Sequence, residues 1–152
     1  MWTSMKGTAM GVLLAMPLVV LAETHGIRHL ASSDDIGSVE ERLRAAIEEK
    51  GLTLMNVVDH ADNAKKAGLS LPATRTFIFG NPKVGTPMMQ CQGSVALDLP
   101  QKMVVRETDE GVRLEWNDPH YLAERHGLEG CELPLDKVAG VLEGVASAAA
   151  GQ

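Results

Sequence analysis

A few scattered side chains could carry chemistry in this sequence. Asp59-His60 follows an apolar run and precedes residues at helical spacing, so His60 falls where a strand hands over to a helix. A histidine there can shuttle a proton or contact a ligand. Asp59 has the chemistry of an N-cap, its carboxylate accepting a backbone N–H two or three residues on. Asn81, Thr86 and Asn117 also fall at strand ends or helix starts. Helix N-termini offer unpaired N–H donors and positive potential. His60, Asn81, Thr86 and Asn117 are therefore read as one set that could line a site for a small anionic ligand. The competing reading is local: Asn81 and Asn117 bond their own turns, and Thr86 caps its own helix. Gly80, Gly85 and Lys83 lack the order of a phosphate-binding loop.

Sulfur and imidazole give further candidates. Met88, Met89 and Cys91 make a soft-donor group of the kind Cu(I) selects, although methionine is more often core filler. Cys91 and Cys131 are the two cysteines of the chain. An even pair in an exported protein invites a disulfide, and free thiols are the alternative. Cleavage after Ala22 would leave Glu23-Thr24-His25 as the first three residues. An α-amine, two amide nitrogens and the His25 imidazole can then enclose Cu(II) or Ni(II) in a square plane. His120 and His126 are read as solvated helix residues. No G-x-S-x-G, H-E-x-x-H or C-x-x-C occurs. A Cys91–His60 nucleophile pair has no local signature.

The elements that must position these residues follow from periodicity. A short strand begins at Ile27. Ser32-Ser33-Asp34-Asp35 then starts a helix whose Ile36, Val39, Leu43, Ala46 and Ile47 share a face, and Gly51 closes it. Leu52–Val58 has a strand's length. A short helix from Asp59 ends at Gly68. Ala73–Phe79 alternates, with Arg75, Phe77 and Phe79 on one face. Gly80-Asn81-Pro82-Lys83 reads as a turn, and Thr86-Pro87 as a cap followed by proline at the first helical position, for a helix to about Leu97. Residues 101–107 and 111–116 form a hairpin, with Val112, Leu114 and Trp116 on one face. Asp118-Pro119 starts a helix ending at Gly127. A last helix runs from Pro134 to about Ala149, and the small-residue tail after it is expected to fray. The fold class is α+β: one domain with helices packed on a mostly antiparallel sheet.

Residues 1–22 stand apart from that fold. Lys6 precedes an apolar run from Ala9 to Leu21, too short to span a bilayer and of the length of a signal-peptide core. Val20-Leu21-Ala22 suits cleavage after Ala22, leaving residues 23–152 as a periplasmic or secreted domain that meets the membrane only before cleavage. The net charge of −6, with basic residues scattered, argues against nucleic acid as a partner. Aromatic residues make up 3% of the chain, so the core must be aliphatic.

Four clusters then occur in order: Val58-Asp59-His60-x-x-Asn63-Ala64, Phe79-Gly80-Asn81-Pro82-x-x-Gly85-Thr86-Pro87-Met88-Met89, Ala96-Leu97-Asp98-Leu99-Pro100, and Trp116-Asn117-Asp118-Pro119-x-Tyr121-Leu122. Together they resemble the bacterial family called domain of unknown function 302, over about residues 27–146. The resemblance implies a compact α+β domain able to form a homodimer, and no agreed activity or cofactor. Cys91 and Cys131 depart from the family pattern. The leading expectation is an exported, non-enzymatic domain that binds or senses a small ligand near His60, Asn81, Thr86 and Asn117. Two alternatives stand beside it: metal handling through His25, and a hydrolase or transferase using His60.

Overall fold

The computed structural model describes residues 25–152. The expected leader, residues 1–22, and Glu23 and Thr24 of the expected amino-terminal metal motif lie outside the described residues. Five strands, β1 (Ile27–Ser32), β2 (Thr53–Asp59), β3 (Thr74–Gly80), β4 (Gln101–Thr108) and β5 (Gly111–Asn117), form one sheet in the order β1-β5-β4-β3-β2. Every neighbouring pair is antiparallel. Among the described residues, five helices accompany it: α1 (Ile36–Glu49), α2 (His60–Lys66), α3 (Pro82–Cys91), α4 (Pro119–His126) and α5 (Leu135–Ala150). A 3-10 turn, Gly93–Leu97, follows α3. The α+β class expected from the sequence is the class observed.

Strand alternation sorts the sheet into two faces. Phe77, Phe79, Met103, Val105, Val112, Leu114 and Trp116 point to one face and are buried there. α1 covers them with Val39, Leu43, Ala46 and Ile47, and α5 covers them with Leu142, Val145, Ala146 and Ala149. Burying a side chain such as Leu43 or Phe77 contributes on the order of 2–3 kcal/mol. The opposite face carries half-buried polar residues, including Thr76 and an Arg106–Glu115 pair in which Arg106 Nε and Nη2 donate to the two carboxylate oxygens at 2.7 and 2.8 Å. The Arg106 hydrogen bonds hold the Glu115 carboxyl below its usual range.

A second apolar cluster, Met88, Val95, Ala123 and Leu128, packs α3 and the 3-10 turn against α4. Cys91, at the end of α3, is joined to Cys131 by a disulfide, their Cα atoms 6.4 Å apart. This cluster and the main core meet beyond the ends of β3 and β4, and the cleft described below lies on their seam.

Two local expectations are corrected. Thr86 does not start α3: the helix begins at Pro82, and the Asn81 side chain caps it, Oδ1 accepting from Lys83 N at 2.9 Å. Asn81-Pro82 is therefore the cap-and-proline pair. Pro87 lies inside the helix, where its ring removes a hydrogen bond to the carbonyl of Lys83. The helix stops at Cys91, before the expected Leu97. The carboxy-terminal residues also do not fray. Arg42 Nε donates to the Ala149 carbonyl at 2.9 Å, and Ser32 Oγ to that of Ala150 at 2.9 Å. Gln152 Nε2 reaches Ala31 O at 3.0 Å. Four terminal carbonyls lack partners in any helix, and here β1 and α1 supply donors for two of them.

Candidate functional site

The apolar seam opens into a cleft of about 470 Å³. Phe79 and Gln101, paired across β3 and β4, line its sheet side. α3 contributes Val84, Met88 and Met89, and α5 contributes Val138, Val141 and Leu142. Leu52, Met55 and the Leu99-Pro100 segment complete the apolar wall. The polar lining side chains are Lys50, Asn81, Thr86, Gln101 and Lys137, and among the described residues no carboxylate lines the cleft.

Gln101 is the unusual member. It begins β4 in the same alternation as Met103 and Val105, so its side chain is drawn onto the buried face and is 8% exposed. Its Nε2 has no hydrogen-bond partner among the described residues. A buried donor left without an acceptor costs about 1–3 kcal/mol. Lys50 and Lys137 have no carboxylate partner among the described residues, and the Lys50 ammonium lies beside Gly144 of α5. The cleft thus offers an aliphatic interior, one buried donor and two cations.

Of the four residues expected to converge, the structure brings two to this cleft, Asn81 and Thr86. Asn117 lies at the same end of the sheet, opposite Ile27 of β1. It follows the buried Trp116, so alternation turns it to the other face. His60 lies at the far end, after the Asp59–Arg75 register pair, whereas Thr53–Gly80 marks the cleft end. Its Nε2 meets Thr76 Oγ1 at 2.8 Å over the uncovered face. Asp59 caps α2, its Oδ1 accepting from Asp62 N at 2.8 Å, while Oδ2 accepts from Arg75 at 2.7 Å. Arg75 also donates to Glu40 at 2.6 Å. The Asp62 amide bond first, and Arg75 second, hold the Asp59 carboxyl below its ordinary value.

The soft-metal and nucleophile readings are corrected too. The Cys91 sulfur is bonded to Cys131, so it is neither a thiolate ligand nor a nucleophile. Met88 is buried in the second cluster, and Met89 faces the cleft. His60 lies at the far end of the sheet, bonded to Thr76. Among the described residues, no group of three or more His, Cys, Asp or Glu side chains is arranged to hold a metal ion. His25 is exposed.

Two histidines expected to be solvated are engaged. His126 has 5% of its side chain exposed, with Nε2 2.6 Å from Asp98 Oδ2 and Nδ1 3.0 Å from Ser94 Oγ. It staples α4 to the 3-10 turn. Its spacing from Leu122 and Ala123, four and three residues, was the available signal. His120 bridges Asp118 at 3.0 Å and Asp136 at 2.9 Å, half-exposed, and those hydrogen bonds raise its pKa above the ordinary histidine value.

This arrangement defines an α+β domain with a cleft between its sheet-and-helix core and a smaller helical cluster. The chain belongs to the family described as Domain of unknown function DUF302, whose model matches residues 28–149. A crystal structure of an uncharacterized conserved DUF302 protein from Bacillus stearothermophilus has the same fold. It superposes with a TM-score of 0.66 at 17% identity, over 83% of this chain and 96% of that one. Over 104 of its residues, 68% of its length, the present chain is 40% identical to a protein of Brucella suis biovar 1 (strain 1330) called fluoride-specific ion channel FluC 1. A Brucella melitensis biotype 1 protein called fluoride-specific ion channel FluC 2 matches equally, at 40% over 104 residues. The match covers 41% and 38% of those relatives, so the chain spans about two fifths of their length. Among the described residues, no helix is long and apolar enough to cross a membrane.

Proposed function

We propose that the protein is an exported, non-enzymatic domain that binds a small ligand in the cleft between α3, α5 and the ends of β3 and β4. The observation that carries this reading is Gln101, a buried carboxamide lining an apolar cleft with its Nε2 unpartnered. Buried polar groups are nearly always hydrogen-bonded, so an orphan beside a cavity of small-molecule size is supplied by a ligand acceptor. Export is supported by the leader-like residues 1–22 and by the Cys91–Cys131 disulfide, which suits an oxidising compartment. A homodimer remains part of the proposal on the family resemblance.

Native mass spectrometry of the protein exported from a bacterial host, without reductant, tests it. Expected are cleavage after Ala22, a dimer mass, and a retained small molecule that Val84→Trp, which fills the exposed side of the cleft, no longer retains. A parent that retains nothing and takes up nothing from a mixed small-molecule library refutes the ligand reading.

The 40% identity to proteins called fluoride-specific ion channels favours a second reading, in which the domain assists fluoride export. Conduction needs membrane-spanning segments. The chain spans about two fifths of those relatives, so this reading assigns it an accessory role and not conduction itself. Deleting the gene should then lower the fluoride concentration that stops growth; unchanged tolerance refutes this reading.

A further inference from the structure

We propose that the cleft selects a single-chain aliphatic carboxylate; this rests on the ligand-cleft reading above and names its ligand class. Three independent features point to that chemistry. The first is the lining. Its apolar part is built from Leu, Val, Met and Pro side chains, with Phe79 as the one aromatic residue among the described lining residues. A flexible alkyl chain packs on such a wall, and Met55, Met88 and Met89 adapt to it, because thioether side chains fill irregular gaps. A flat ring system would find little to stack on. The volume, about 470 Å³, lies in the usual range for a small-molecule site.

The second feature is charge. The chain carries 20 acidic and 14 basic side chains, yet among the described residues two lysines and no acid line the cleft. An uncharged ligand gives no reason for that sorting. Lys50 and Lys137 also lack carboxylate partners in the described structure, although Arg75 and Arg106 are paired with carboxylates. Their four-carbon stems can lie along the apolar wall while the ammonium groups stay at the rim. The third feature is the Gln101 carboxamide. Its orphan N–H requires an acceptor, and one carboxylate oxygen supplies it while the other faces the lysines. An alkylammonium ligand would leave the donor unsatisfied and meet two like charges.

The test is isothermal titration of the exported, oxidised protein with decanoate, 1-decanol and decyltrimethylammonium. The three probes share an alkyl chain and differ in head group. Decanoate is expected to bind about tenfold more tightly than decanol, the size of one charge-assisted hydrogen bond, and the cation most weakly. In Lys50→Met/Lys137→Met, which alters two exposed side chains, decanoate should fall to the affinity of decanol while decanol is unchanged. Equal binding of decanoate and decanol overturns the carboxylate assignment and leaves the cleft reading intact. A decanoate preference that survives the double substitution overturns the role of the lysines. Binding of none of the three overturns the ligand class; the cleft reading then stands or falls on whether Val84→Trp releases a natively retained molecule. A second copy of the chain occupying the cleft would show as dimerisation that excludes decanoate, and would also overturn the proposal.

Discussion

Replacing Gln101 by methionine should stabilise the ligand-free protein and weaken it as a binder. The residue is 8% exposed and its Nε2 has no partner among the described residues, so the native fold carries the desolvation of a donor that water satisfies in the unfolded chain. Methionine keeps nearly the same length and volume, removes the donor, and joins Met103 and Val105 on the buried face of β4. An unsatisfied buried donor costs about 1–3 kcal/mol, so a gain of about 1–2 kcal/mol is expected after imperfect repacking. For a domain of this size that raises Tm by roughly 3–8 °C. The backbone pairing of Gln101 with Phe79 is untouched, so the urea m-value should not change. Decanoate affinity should fall about tenfold, because the new side chain offers no donor. The measurement is urea and thermal unfolding of both forms, with titration alongside. A Tm that falls by several degrees would mean that the carboxamide is satisfied in the free protein, and the argument from Gln101 to a ligand would collapse.

Removing the disulfide with Cys91→Ala/Cys131→Ala opens a loop of sequence separation 40, which on the chain-entropy model costs about 4 kcal/mol, or roughly 15 °C in Tm. A loss under 3 °C in thermal unfolding would contradict it. His126→Ala leaves Asp98 without its 2.6 Å partner and should destabilise by about 2–3 kcal/mol, read by urea unfolding, whereas His60→Ala, with its exposed imidazole, should cost under about 1 kcal/mol. His120 has a raised folded-state pKa, so its stabilising contribution is complete below the unfolded value near 6.5 and is lost as pH rises through the folded value. An NMR titration should place its midpoint above that of a model histidine, and Asp118→Asn/Asp136→Asn should bring it back. The chain processed after Ala22 should bind one equivalent of Cu(II) with a square-planar visible band, and His25→Ala should abolish it.

Much of the fold was legible because its determinants are local. Asp35, Asp59 and Asp118 cap their helices through their own side chains, and each is followed by apolar residues at helical spacing. Gly51, Gly68 and Gly127 stop helices with positive φ, a conformation that favours glycine. Thr86 misled because two cap-and-proline pairs compete within seven residues, 81–87, and the first one wins. Once Asn81 has capped the helix, Thr86 is already inside it. The tail misled because alanines carry little local signal, while Ser32 and Arg42, more than 100 residues away in sequence, hold its carbonyls.

The site was legible only in part. Asn81 and Thr86 were found by their place after a strand, and they do line the cleft. Gln101 was missed, although its alternation with Met103 and Val105 puts a polar side chain in a buried row. Lys50 and Lys137 carried no signal, since lysines at helix ends are ordinary solvent-facing residues. By itself, the sequence determined the α+β class, the helix faces, the hairpin and the caps, because periodicity and capping act within a few residues. Only the tertiary structure decided which polar residues meet. The order β1-β5-β4-β3-β2 sends His60 to one end of the sheet and the cleft to the other, and strand parity turns Asn117 away from it. Convergence of side chains depends on register and on which face each strand presents, and neither is written in the local spacing of the residues concerned.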